Sequence, residues 1–160
     1  MGYKLIALDI DGTLLNSSNQ ITENVKEAIR KSKEKGVKVV LCTGRPLKGV
    51  ENFLDELNLK EEGDYVSTFN GALVQDAHTG KPISHLTLDY EDLCDLYDLS
   101  VEVGSRSHFY DTRTVYTFNR DVSDYTILEA YLTGVHLNVT ELDEVPKDIA
   151  MSKFMMIDHP

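Results

Sequence analysis

Three short apolar runs separated by helical stretches constrain this chain more than any other feature. Tyr3 to Ile10 is dense in Leu, Ile and Ala, Val37 to Cys42 is continuously apolar, and Tyr65 to Phe69 forms a third run. Runs of this length and content read as buried strands. After the first run comes a loop rich in Gly, Asn and Ser, from Gly12 to Gln20. Thr22 then suits an N-cap, Val25, Ala28 and Ile29 share one helical face, and Gly36 closes the helix. After the second run, Pro46 fits the first turn of another helix, whose face is Val50, Phe53, Leu54 and Leu57. The order strand–helix–strand–helix–strand predicts an α/β fold: a parallel, doubly wound, Rossmann-like sheet with right-handed crossovers.

The rhythm changes at His85. Asp89 can cap a helix carrying Leu93, Leu96, Tyr97 and Val101 and ended by Gly104. Two β-rich runs follow, His108–Tyr110 and Thr114–Phe118, split by Asp111-Thr112-Arg113 as in a hairpin. A helix from about Ser123 to Leu132 comes next. Lys153 to Ile157 is a last strand, with a turn beyond it at Asp158–Pro160. This half therefore reads as α+β, a small sheet with helices on one side. Charge changes at the same place: residues 1–84 hold 11 Lys+Arg against 12 Asp+Glu, and residues 85–160 hold 5 against 15. Two units, 1–84 and 85–160, are expected.

The overall charge of −11 argues against a nucleic-acid partner, whose phosphates need basic patches. The apolar runs are far too short to span a bilayer, and Met1-Gly2-Tyr3-Lys4 leads straight into a strand without a signal-peptide pattern. Ile6 stands where myristoylation expects Ser or Thr. Cys42 and Cys94 lack the spacing of a disulfide framework or a zinc site, which makes a reducing cytoplasm the default. His108, His136 and His159 share no metal spacing and read as structural or surface residues. Tyr110, Tyr116, Tyr125 and Tyr131 read as core and rim.

Chemistry concentrates in Leu8-Asp9-Ile10-Asp11-Gly12-Thr13-Leu14. Parallel sheets place ligands at the carboxyl ends of their strands, where this pair of acids falls. Residues 9 and 11 of a regular strand point to the same side. Two carboxylates that close repel unless a cation or a division of labour intervenes. Magnesium supplies such a cation, since it takes a few carboxylate oxygens with phosphate and water. A second element, Leu41-Cys42-Thr43-Gly44-Arg45-Pro46, ends the next strand. A hydroxyl, a glycine that admits backbone amides, and a helix N-terminus together make an anion site. Alone, Thr43-Gly44 is more often a turn and cap. Beside the Asp pair, it reads as a phosphate site.

With these residues and Phe69-Asn70-Gly71-Ala72 after the third strand, the chain resembles the haloacid dehalogenase superfamily, and within it the Cof-type sugar-phosphate phosphatases. An apparent lid inserted from about residue 85 adds to the likeness. The resemblance implies a magnesium-dependent phosphatase acting on a small phosphorylated metabolite. Asp9 would be the nucleophile and a metal ligand. Asp11 would be the general acid and base, with its carbonyl on the metal. The Ile10 backbone, Thr43 and Gly44 would hold the phosphoryl oxygens, and Arg45, Asn70 and Gly71 would face the substrate. Asn70-Gly71 also reads, at even weight, as a simple tight turn.

The family further needs a lysine and a later Gly-Asp-x-x-Asn-Asp segment, and neither has a counterpart here. The expectation is therefore an N-terminal fragment that ends within its lid, feebly active by itself and prone to self-association along an uncovered sheet edge. A phosphosugar mutase using the same Asp pair and a non-catalytic remnant of the fold stay open as alternatives.

Overall fold

A computed structural model describes residues 2–157. The chain divides into two compact units, Met1–His85 and Leu86–Pro160.

The first unit holds β1 (Leu5–Asp9), α1 (Glu23–Glu34), β2 (Lys38–Cys42), α2 (Glu51–Glu56), β3 (Tyr65–Thr68), β4 (Leu73–Asp76) and β5 (Pro82–His85). Its sheet runs β1-β2-β3-β4-β5. The first three strands are parallel, and β4 and β5 add antiparallel to them. Val25 and Ile29 of α1 and Phe53 and Leu54 of α2 pack in one core with Leu8, Val39, Leu41 and Val66. Both helices thus cover the same face, as right-handed crossovers advancing in one direction require.

That placement alters the expectation for β1. Its residues alternate, so Leu5, Ala7 and Asp9 point away from the helices and are exposed, Leu5 by 54%. The first strand is half-buried on its helix side only and lies at the end of the sheet, at the uncovered edge expected from the sequence. A second correction concerns the helix expected from Pro46. Leu47–Gly49 forms a 3-10 turn, Val50 leaves helical geometry at φ −129°, and α2 spans six residues. Gly49 weakens helix propagation there, and burial of Val50 in the core fixes the break. The β4–β5 pair escaped the sequence reading because each strand has four residues and β5 is largely exposed, leaving no period to read.

The second unit holds α3 (Tyr90–Glu102), β6 (Arg106–Tyr110), β7 (Thr114–Thr117), α4 (Asp124–Thr133), β8 (His136–Val139) and β9 (Lys153–Ile157). Its sheet runs β8-β7-β6-β9, with β7 and β8 parallel and the other pairs antiparallel. Asp89 caps α3 through Oδ1, which accepts from the Glu91 and Asp92 amides at 2.8 and 3.0 Å. Asp92 returns the bond to the Asp89 amide at 3.0 Å, completing a capping box. The expected hairpin is present, with Asp111 Oδ1 accepting from the amides of Arg113 and Thr114 at 2.6 and 2.7 Å.

Two expectations for this unit are corrected. Its helices do not share a side: Leu93 of α3 packs in a core with Phe109, Tyr116 and Phe154, while Thr126 and Glu129 of α4 meet His108 from the other face. The parallel connection from β7 through α4 to β8, a strand the sequence did not announce, sets α4 there. Val101, assigned to the buried face of α3, is 61% exposed near the helix end. Among the tyrosines, Tyr110 is fully buried but Tyr131 is 82% exposed on α4. The turn expected at Asp158–Pro160, with His159, lies outside the described residues. No helix among the described residues is long and apolar enough to cross a membrane.

Candidate active site

β1 ends at Asp9, which pairs in register with Cys42, the last residue of β2. Asp9 and Asp11 are exposed on either side of Ile10, which is fully buried. The backbone stays extended at Asp11 (φ −78°, ψ 117°) and then turns at Gly12, whose φ of +77° is one that residues with a Cβ rarely adopt. The Leu15 amide donates to the Ile10 carbonyl at 3.1 Å and closes the loop. Burial of one apolar residue therefore throws both carboxylates outward at the carboxyl end of the parallel strands. Thr13 Oγ1 lies 3.4 Å from Asp9 Oδ2 as a donor.

The loop after β2 is fastened from below. Thr43 is buried, its amide donates to the Ser67 carbonyl at 3.0 Å, and its Oγ1 accepts from the Arg45 amide at 3.1 Å. The loop after β3 is stitched onto it: the Asn70 amide donates to the Thr43 carbonyl at 2.9 Å and the Phe69 amide to the Arg45 carbonyl at 3.2 Å. These bonds hold Phe69 and Asn70 at φ +51° and +57°, a conformation that costs non-glycine residues about 1–3 kcal/mol. Gly71 continues the turn at φ +94°. A Cβ on Gly44 would sit 2.8 Å from Asn70 Oδ1, so the glycine is what lets the Asn70 side chain reach this loop.

Arg45 bridges the two loops. Its Nε donates to Asp11 Oδ2 at 3.0 Å and its Nη2 to Asp11 Oδ1 at 2.5 Å. Nη1 lies 3.4 Å from the Gly49 carbonyl, and the guanidinium carbon sits 5.7 Å from the Phe53 ring centroid.

The structure thus gathers Asp9, Ile10 and Asp11 with Thr43, Gly44 and Arg45, and brings in Asn70 and Gly71 through the β3–β4 turn. The Ile10 side chain is in the core, so its backbone alone can face a ligand. The tight-turn reading of Asn70-Gly71 and its placement beside Gly44 hold together. The helix N-terminus expected to assist anion binding is replaced by the three-residue 3-10 turn. Sequence reasoning missed Phe53 and the Gly49 carbonyl as supports of Arg45. Phe53 carried a helical core signal, and a backbone carbonyl carries none.

The profile of haloacid dehalogenase-like hydrolases matches residues 6–160. The chain belongs to that family. It is 56% identical over 158 residues to YxeH of Bacillus subtilis (strain 168), a candidate phosphatase by name, covering 99% of this chain and 58% of YxeH. It is 40% identical over 75 residues to 5-amino-6-(5-phospho-D-ribitylamino)uracil phosphatase YcsE of the same organism, covering 47% of this chain and 29% of YcsE. A crystal structure of a haloacid dehalogenase-like hydrolase from Bacteroides thetaiotaomicron superposes with a TM-score of 0.80 at 27% identity, covering 98% of this chain and 59% of that one. The chain spans less than three-fifths of the length of these proteins.

In this haloacid dehalogenase-like site the donor set suits a hard cation. Two outward carboxylates flank one buried residue, and magnesium asks for one or two carboxylates, with phosphate and water completing its shell. Asp11 gives its carboxylate to Arg45, which leaves its carbonyl and the Asp9 carboxylate as the fitting donors. Among the described residues no group of three His, Cys, Asp or Glu gathers to hold a metal by itself. Cys42 lies in register with Asp9. Burial pushes its thiol above the ordinary value and the Asp9 charge adds to that, outweighing a hydrogen bond with Ser67.

Proposed function

We propose that this site hydrolyses a small phosphomonoester through a phosphorylated Asp9. The observation that carries the reading is the pair of exposed carboxylates flanking fully buried Ile10, beside the Thr43-Gly44 loop at the end of the neighbouring strand. One Asp9 oxygen attacks phosphorus as the ester P–O bond breaks, and Asp11 gives its proton to the departing alkoxide. Water then attacks the phosphorus, Asp11 takes the water's proton, and the Asp9–phosphorus bond breaks to release inorganic phosphate. The Ile10 backbone, Thr43 and Gly44 hold phosphoryl oxygens, and Asn70 and Gly71 face the leaving group. The Asp9 carboxylate and the Asp11 carbonyl would hold magnesium, which would supply charge neutralisation on the phosphoryl group.

A phosphorylated sugar or sugar alcohol is the proposed substrate class, supported by the ribityl phosphate in the name of YcsE. The unit Met1–His85 is read as part of the catalytic core and Leu86–Pro160 as part of a lid, in a cytoplasmic enzyme. Residues 1–160 alone are proposed to turn over feebly, because the lysine and acidic segment the family uses have no counterpart among them. Rapid-quench trapping of the intact protein with labelled substrate tests the chemistry. Asp9→Asn is expected to yield no phosphoenzyme and no turnover above background, and Asp11→Asn to slow turnover about 10²–10⁴-fold. A normal phosphoenzyme burst from Asp9→Asn would move the nucleophile elsewhere.

A further inference from the structure

We infer that Arg45 is a positioning residue that fixes the Asp11 carboxylate for proton transfer and does not contact the substrate, an inference that rests on the acid–base role proposed for Asp11. Asp11 sits on an exposed loop just before a left-handed glycine, and its side chain is 57% exposed. A carboxylate so placed samples several rotamers unless something holds it. Arg45 holds both oxygens at once, through Nε and Nη2, the geometry in which the planar guanidinium matches a carboxylate. The guanidinium is itself held from two further directions, by the Gly49 carbonyl and the Phe53 ring. A residue meant to grip a substrate phosphate gains nothing from being anchored onto the one carboxylate of the site that must move a proton. A partly exposed pair of this kind contributes little to stability, so its effect falls on where Asp11 points. Proton transfer in turn needs the carboxyl within hydrogen-bond reach of the leaving oxygen.

The test compares two leaving groups in the intact protein, reading kcat/KM, which reports the step that forms the phosphoenzyme. An alkyl or sugar phosphate needs its alkoxide protonated, whereas p-nitrophenolate departs without a proton. Arg45→Ala is expected to lower kcat/KM roughly 10- to 100-fold on the alkyl phosphate and less than about 3-fold on p-nitrophenyl phosphate, with KM little changed. Asp11→Asn should show the same pattern more strongly, and adding Arg45→Ala to it should cost little more. Equal losses on both substrates, or a rise in KM alone, would mean that Arg45 binds phosphate and would overturn the inference. If Asp11→Asn itself discriminates neither leaving group, the acid–base reading of Asp11 fails first and the inference with it. Should Arg45→Ala not fold, Arg45→Lys serves, since it keeps the charge but cannot make two parallel bonds. Where neither substrate is turned over, the Nε–H resonance of Arg45 in 15N-arginine-labelled protein decides. Asp11→Asn should shift it, and an unmoved signal would show that the pair does not form.

Discussion

In the sheet of Met1–His85 both helices lie on one face, whereas in the sheet of Leu86–Pro160 α3 and α4 cover opposite faces. The consequence is visible strand by strand. Along β1 half-buried residues alternate with exposed ones, and along β2 buried residues alternate with exposed or half-buried ones, while Ser107, His108, Phe109 and Tyr110 of β6 are all buried in succession. A strand covered on both sides must find partners for whatever polar groups it carries. His108 finds Thr126 Oγ1 at 2.9 Å and Glu129 Oε2 at 3.3 Å, and Thr117 Oγ1 donates to the Ser107 carbonyl at 2.7 Å. Polar side chains of β6 and β7 thus turn to partners inside the second unit. In the first, the Asp9 and Asp11 carboxylates face outward at and beyond the end of β1. A polar cluster turned inward is structural, and one turned outward can take a ligand. That difference, more than the charge imbalance between the units, is why the proposed chemistry is sought in the first.

The comparison breaks most easily in β6. Phe109→Ala and Tyr110→Ala remove large side chains from opposite faces, and each should cost about 3–5 kcal/mol. In β2 the two faces should differ: Leu41→Ala, towards the helices, about 2–5 kcal/mol, and Val40→Ala, on the open face, under about 1 kcal/mol. Denaturant titration with hydrogen exchange of strand amides reads each unit separately. Equal losses at Leu41 and Val40 would mean the open face is covered in solution.

A smaller effect is expected at Glu129. Burial opposes its ionisation, but His108, Lys153 and Tyr110 more than compensate and hold its carboxyl below the usual carboxylate range. A depressed value stabilises the fold above the unfolded-state pKa, and that stability is lost as pH falls through the folded-state value. Urea midpoints should therefore drop as pH is lowered from about 5 towards 3, and less steeply in Glu129→Gln. At pH 7 that variant should lose about 1.5–3 kcal/mol. A slope unchanged by the substitution would remove Glu129 from the inward cluster. The smallest effect belongs to the open face of β1. Leu5→Ser in residues 1–160 should shift stability by no more than about 0.5 kcal/mol, and a larger loss would reveal a covering contact.

What the sequence determined by itself was local. Asp9 and Asp11 around Ile10, the turn at Gly12, the Asp89 cap and the Asp111 hairpin are each written within a few neighbouring residues, because backbone period and side-chain-to-amide bonds act over that range. The parallel order of β1, β2 and β3 followed from the handedness of their connections. The tertiary structure alone decided which faces those elements show. β4, β5 and β8 exist because a neighbouring strand offers hydrogen bonds, and their four-residue runs carry too little pattern to announce it. Arg45 meets Asp11 across 34 positions of chain, and Asn70 meets Gly44 across 26, contacts set by strand register, to which no local spacing corresponds. The helix from Pro46 broke at Gly49 because burial of Val50 outweighed helical propensity, and α4 took the face opposite α3 because β8 pairs parallel to β7.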